Sequence, residues 1–233
     1  AGKRQAFTLA FMVFRFLDRR FVSRHVRNIA AISHTVRNRI WKNYQRHATV
    51  LYPPIHIDQY RNRGYGDYWL SVSRVDKWKR IDLLVEAFRQ MPEKKLKIAG
   101  TIYPGYEYLK QSAPDNVEFL GTVGDADLQI LYGSCRGFVT AAIDEDYGLT
   151  PLEAMACEKP VVAAKEGGYL ETVVDGYTGI LVDPSADAIR NAVCRIDSHP
   201  EDYGPAARRQ AESFDYKIFK EQIATYVRTL TGA

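Results

Sequence analysis

The sequence predicts an α/β protein built on a doubly wound parallel sheet, and three observations predict it. From Tyr68 onward, short apolar runs of β-forming residues alternate with helical segments, the pattern of a parallel sheet covered by helices on both faces. Several of the helical segments carry apolar residues at i, i+3, i+4 spacing. At 233 residues, 46% of them apolar and 26% charged, the chain is long enough to bury one full core.

Taken in order, residues 1–50 read as a basic helical stretch, a strand-like run at Asn28–Ile32 and a second helix from about His34 to Tyr44. One strand is too little for a domain. Pro53-Pro54 and Arg61–Asp67, with Gly64 and Gly66, mark a linker. Six strands follow, at Tyr68–Ser73, Leu96–Ala99, Val117–Leu120, Gly137–Thr140, Pro160–Ala163 and Gly179–Val182. The helices between them fall near Ile81–Met91, Tyr106–Ser112, Asp125–Gly133, Pro151–Cys157, Tyr169–Val174 and Ala186–Asp197. Two last helices, about Glu201–Ser213 and Asp215–Leu230, have no further strand to cross to. Sheets of this kind bind ligands at the carboxyl ends of their strands, so chemistry is sought in the loops that follow strands.

Charge is unevenly spread. Residues 1–50 hold 11 Lys or Arg against the single acid Asp18, so a total of +4 leaves the rest of the chain at −6. Such a head suits nucleic acid, an anionic lipid surface or a phosphate-bearing substrate, or is simply a solvated basic face. Phe7, Leu9, Phe11, Met12, Phe14, Phe16 and Leu17 stand beside Arg15, Arg19 and Arg20, which fits a helix lying on an anionic membrane or facing a partner domain. The apolar stretch from Ala6 to Leu17 is broken by Arg15 and is shorter than the roughly 20 residues of a spanning helix. No membrane crossing and no secretory signal are expected. The three cysteines, Cys135, Cys157 and Cys194, lack paired spacing, so a reducing, cytoplasmic setting is expected. The chain opens Ala1-Gly2-Lys3-Arg4 without an initiator Met, and its true start is expected to be missing.

The most informative stretch runs from Ile143-Asp144-Glu145-Asp146-Tyr147-Gly148-Leu149-Thr150-Pro151-Leu152-Glu153 to Cys157. It follows a strand and opens a helix. Thr150 suits the N-cap, Pro151 the first helical position and Glu153 the third, which aims backbone N–H groups and the positive dipole end beyond Gly148. That arrangement suits a diphosphate. Equally, Thr150-x-x-Glu153 reads as a capping box in which Glu153 reaches back to the Thr150 amide. Ser73-Arg74-Val75-Asp76-Lys77-Trp78-Lys79-Arg80 follows the first strand of the body, where Arg74 and Lys79 could neutralise a diphosphate. Lys165-Glu166-Gly167-Gly168 offers close backbone approach to a ligand and a second helix N-terminus.

In this order the pieces resemble the carboxy-terminal domain of the group-1 glycosyltransferases, family 4, mannosyltransferase-like members included. The family's pattern of Glu, seven residues, Glu is met by Glu145 and Glu153, and its Arg-x4-Lys by Arg74 and Lys79. Asn116–Val123 and Gly167–Gly179 are similar to further family segments. The resemblance implies the GT-B architecture, with a Rossmann-like donor domain over residues 59–233 and a short helical remnant of the amino-terminal, acceptor domain over residues 1–58. It implies a hexosyltransferase that moves a sugar from a GDP- or UDP-linked donor to a saccharide or lipid-linked acceptor with retention, without metal or other cofactor. It also implies roles: Arg74 and Lys79 on the diphosphate, Glu145 on the transferred sugar, Glu153 on the ribose, Gly148, Leu149 and Thr150 in a phosphate cradle, and Val123 beside the base through its backbone. Glu158 stands where the family has Gly, and Ser73 replaces a Gly before Arg74. With most of the acceptor domain absent, the chain is expected to bind donor without enzyme-like turnover, and its last two helices to have less to pack against.

No Ser-His-Asp or Cys-His constellation stands out, which agrees with a mechanism of positioning and leaving-group stabilisation. One competing reading takes Asp144-Glu-Asp146 as an Asp-x-Asp metal motif, which requires a divalent ion. A second makes the basic head a nucleic-acid- or membrane-binding module with steep salt dependence. No nucleic-acid partner is expected.

Overall fold

The computed structural model describes residues 2–232, of which residues 2–6 and Leu9 are described by backbone alone, so the expectations resting on Ala1 and on the Leu9 side chain lie outside the described residues. It forms two compact units, residues 1–52 and residues 53–233.

The first unit contains α1 (Gly2–His25), β1 (Ala30–Ala31), α2 (His34–Tyr44) and β2 (Thr49–Val50). The strand-like run at Asn28–Ile32 shrinks to β1, and it pairs in parallel with β2, which its two-residue length hid in the sequence. Ser33 caps α2 by accepting the Val36 N–H at 3.0 Å. The Arg46 guanidinium donates to the carbonyls of Val26 and Arg27 at 2.9 and 2.8 Å, satisfying acceptors just past the end of α1. The lone acid, Asp18, accepts a 2.7 Å bond from the Tyr44 hydroxyl. Phe7, Phe11, Met12, Phe14, Phe16, Leu17 and Phe21 are all exposed on α1.

The second unit carries β3 (Tyr68–Val72), α3 (Ile81–Arg89), β4 (Lys95–Ala99), α4 (Glu107–Gln111), β5 (Val117–Gly121), α5 (Asp125–Ser134), β6 (Gly137–Thr140), α6 (Leu149–Ala156), β7 (Val161–Ala164), α7 (Tyr169–Thr172), β8 (Gly179–Val182), α8 (Ala186–Asp197), α9 (Gly204–Glu212) and α10 (Tyr216–Thr231). The strands form one parallel sheet in the order β5-β4-β3-β6-β7-β8. Helices cover both faces, and the inner strands β6 and β7 are buried at every position, whereas β4 and β5 toward one edge carry Lys95, Lys97 and Glu118. The order reverses between β3 and β6, and at that switch point a doubly wound sheet leaves a crevice beyond its carboxyl ends.

Three expectations change. Residues 53–58 group with the second unit, because the Ile55 N–H donates to Phe214 and the Tyr216 N–H returns a bond to Ile55. The stretch Arg61–Asp67 is also held: Arg63 and Gly66 donate to the carbonyls of Gly133 and Ser134. The buried Lys159 ammonium bonds Asn62 Oδ1 at 2.7 Å and the Gly64 carbonyl at 2.5 Å. Gly64 and Gly66 of this stretch signalled a linker, but its backbone groups find partners at the end of α5. Finally, α9 is not left short of contacts. Ala207 and Ala211 are buried, and Arg208 of α9 donates at 2.6 Å to the Ala156 carbonyl at the end of α6. Helix α10 does fit the expectation, with no buried residue.

Candidate functional site

Two loops rise beside the switch point. After β3, the Asp76 carboxylate accepts the N–H groups of Trp78 and Lys79 at 2.8 and 3.2 Å, folding residues 76–79 into a turn. After β6, the Ile143 N–H donates to the Trp78 carbonyl at 2.7 Å, so the second loop is fastened to the first. This places the Lys79 ammonium 2.6 Å from Glu145 Oε2, each side chain about one-fifth exposed. Two residues far apart in sequence thus meet in a half-buried ion pair, where screening by water is reduced. A parallel link joins Arg80 to Glu166 at 2.7 Å, and Glu166 also accepts the Asp144 N–H at 3.2 Å. Arg80 and Asp144 both take left-handed backbone, at φ 48° and 47°.

Gly167 and Gly168 lie against the same loop. A Cβ on Gly167 would meet the Glu145 backbone at 2.4 Å, and one on Gly168 the Tyr147 Cα at 2.4 Å. The Gly168 N–H donates to the Glu145 carbonyl at 2.6 Å. The Gly-Gly pair permits this close approach to the backbone carrying Glu145.

Gly148, at φ 93°, caps α6 in place of Thr150. Leu149 is the first helical residue and Thr150 the second, so Pro151 and Glu153 fall later than the sequence placed them. The capping box is overturned with that shift. The helix starts earlier because Gly148 turns the chain where a side chain would clash, its Cβ position lying 2.9 Å from the Tyr169 ring. As first-turn residues of α6, Leu149 and Thr150 carry amides without intrahelical acceptors.

Glu153 instead points sideways off α6. Its Oε1 accepts from the Tyr60 hydroxyl at 3.0 Å and its Oε2 from Tyr132 at 2.7 Å. Burial raises its pKa above the usual carboxylate range, and the two tyrosine bonds work against that rise. It lines a cleft of about 400 Å³ with His56, Gln59, Tyr60, Asp125, Gln129 and Leu149. Val123 stands in the loop before α5, two residues ahead of Asp125. Arg74 is the most open of the expected residues, its side chain 56% exposed. Its guanidinium carbon lies 5.3 Å from the Tyr103 ring centre, with one nitrogen 3.3 Å from the Tyr103 hydroxyl and another 3.6 Å from Asp76.

Sequence reasoning missed Tyr60, Tyr103 and Tyr132. Tyr60 sits between the two segments that signalled a linker, Tyr103 in a loop without a motif, and Tyr132 in an apolar helix. Only the last had a signal, since a buried phenol must find a hydrogen-bond partner. Among the described residues no cluster of three or more His, Cys, Asp or Glu is arranged to hold a metal ion.

A family model for glycosyl transferases group 1 matches residues 55–211. The alpha-1,3/1,6-mannosyltransferase ALG2 of Dictyostelium discoideum is 29% identical over 209 residues, covering 77% of this chain and 48% of that protein. An uncharacterized glycosyltransferase of Methanocaldococcus jannaschii is 28% identical over 157 residues, 66% of this chain and 45% of its own length. The chain thus spans about half the length of these relatives. Among solved structures, sucrose-phosphate synthase from Thermosynechococcus elongatus superposes with a TM-score of 0.83 at 22% identity, over 94% of this chain and 61% of that one. Anabaena HepE in complex with UDP and glucose superposes with a TM-score of 0.82 at 23% identity, over 91% and 66% of the two chains.

Proposed function

This chain belongs to the group 1 glycosyl transferases, and from that premise we propose that its second unit binds a nucleotide-diphosphate sugar for retaining transfer to a saccharide or lipid-linked acceptor. One observation carries the reading: the Lys79–Glu145 pair bridges the switch point beside the N-terminus of α6. A cation, a carboxylate and first-turn amides at that end of the sheet are the chemistry that suits a sugar diphosphate. In this reading Lys79 and Arg74 neutralise the diphosphate, and the Gly148–Thr150 backbone cradles it. Glu145 contacts the transferred sugar and Glu153 the ribose, while the Val123 backbone borders the base. The departing phosphate oxygen accepts the proton of the acceptor hydroxyl as the new glycosidic bond forms on the face that the nucleotide leaves. Catalysis is positioning and charge stabilisation.

The match to ALG2 supports a mannosyl donor, and HepE, described with UDP and glucose, supports a uridine one, so the donor is GDP- or UDP-linked. No metal is assigned, since Arg74, Lys79 and the α6 amides supply the positive charge. The test is titration with UDP, GDP and their hexose esters, with and without excess chelator. Unchanged affinity in chelator is expected, and loss of binding would favour the Asp144/Asp146 metal reading. Glu153→Gln should weaken nucleoside diphosphates and sugar nucleotides alike, whereas Glu145→Gln should weaken only the latter. Identical effects on both ligand classes would refute the division of roles.

The exposed aromatics of α1, with Arg15, Arg19, Arg20 and Arg24, further support peripheral contact with an anionic membrane, where a lipid-linked acceptor would be presented. No helix among the described residues is long and apolar enough to cross a membrane. Co-sedimentation with anionic but not neutral vesicles is the expected result. Equal binding to both, or to neither, removes the proposal.

A further inference from the structure

We infer that Tyr60 and Tyr132 are positioning residues that hold the Glu153 carboxylate as a fixed pair of acceptors for a ribose diol. The inference rests on the reading of Glu153 as the ribose contact, and goes beyond it by assigning the groups that make that contact directional. A carboxylate cannot donate, so both phenols must give it their protons. Each takes a different oxygen, Tyr60 Oε1 at 3.0 Å and Tyr132 Oε2 at 2.7 Å. One acceptor site on each oxygen is then left for the cleft, which matches two adjacent hydroxyls.

The holders are themselves immobile. Tyr132 is fully buried on α5, with its ring 5.8 Å from that of Phe138 in β6. Tyr60 meets Tyr132 edge-on at 6.0 Å, and its carbonyl accepts from Arg208 at 3.2 Å. Two separate segments of chain, one before β3 and one between β5 and β6, thus fix a side chain on a third. Without them a half-buried glutamate would exchange rotamers, and ribose binding would have to oppose that entropy.

The other titratable groups near Glu153 are His56 before β3 and Asp125 on α5, which line the same cleft, and Cys157 at the end of α6. None gives it a hydrogen bond among the described residues, so the tyrosines alone support its ionised form directly. Removing either should therefore raise its pKa further, and the acid limb of nucleotide binding should move to higher pH.

The experiment measures binding of UDP or GDP, whichever is tighter, and of its 2′,3′-dideoxy analogue across a pH series. Wild type, Tyr60→Phe, Tyr132→Phe and Glu153→Gln are compared. Each phenylalanine variant should lose about fivefold to tenfold in affinity for the ribonucleotide, the scale of one ordinary hydrogen bond, because the diol contact is loosened and not removed. The dideoxy analogue should bind all variants alike, because it makes no diol contact. A general loss of structure would weaken both ligands together, so the ratio isolates positioning. Tyr60 is only half-buried, so Tyr60→Phe remains decisive if Tyr132→Phe folds poorly. A wild-type ratio and an unmoved acid limb in Tyr60→Phe overturn the inference. A wild-type ratio in Glu153→Gln overturns the ribose reading beneath it.

Discussion

Replacing Lys79 with Ala should separate two roles that one ion pair combines. Its ammonium lies 2.6 Å from Glu145, each side chain about one-fifth exposed. Removing it strands a carboxylate whose loop also receives the Gly168 N–H and borders buried Tyr169. For a half-buried pair we expect a loss of about 1–2 kcal/mol in unfolding free energy, between the exposed and buried limits. Diphosphate affinity should fall as well, by about 1.5–3 kcal/mol for a charge-assisted contact, or roughly tenfold to a hundredfold in Kd. Arg74→Ala provides the contrast. Its side chain is 56% exposed and its partners are a tyrosine and a distant Asp76, so stability should scarcely change while binding falls toward the lower end of that range. Chemical denaturation and calorimetric titration with UDP or GDP, in chelator, measure both quantities. The double variant Lys79→Ala/Glu145→Ala should regain part of the lost stability but none of the affinity. If Lys79→Ala and Arg74→Ala both bind like wild type, the diphosphate assignment is wrong. If the double variant regains affinity, Lys79 serves only to neutralise Glu145.

Glu153→Gln should leave the fold as stable or more so near neutral pH, because burial makes the ionised carboxylate costly. With a folded pKa above the unfolded one, wild-type stability should fall as pH rises through that window, a slope that the variant should lack in pH-dependent denaturation. Asp197 behaves oppositely. Burial works to raise its pKa, but hydrogen bonds from Lys94 and Trp69 at 2.8 and 3.0 Å and the charge of Arg136 prevail and lower it. Its contribution is present above the ordinary aspartate range and is lost as pH falls through the folded pKa. Asp197→Asn should therefore cost about 2 kcal/mol at neutral pH and little in strong acid, as read by thermal melting at each pH. Glu158→Gly should raise the melting temperature modestly, by relieving a residue at φ 60° worth about 1 kcal/mol. Glu158→Ala, which keeps the strain and loses the bond from Asn62, should not.

The sequence by itself determined the parallel sheet and the order of its elements, because both are local. The strands from β3 to β8 are short runs rich in apolar residues, and several of the helices between them show their own periodicity, so no distant contact is needed to read them. The spacing of Arg74 to Lys79 and of Glu145 to Glu153 was equally legible, since motif spacing survives in one dimension. Only the tertiary structure decided what those residues face. Whether Glu153 closes a capping box or leaves the helix sideways depends on Gly148 turning against Tyr169, and on phenols delivered from residues 60 and 132. The Lys79–Glu145 contact depends on the reversal of strand order between β3 and β6, which brings together loops separated in sequence by three strands, β4, β5 and β6. Likewise Arg61–Asp67 has the composition of a linker, yet the carbonyls of Gly133 and Ser134 at the end of α5 gave its N–H groups partners and fixed it in place. Local pattern specifies which face of an element is apolar. Polar groups choose their partners by what packing brings within hydrogen-bond reach, and that is a property of the folded chain alone.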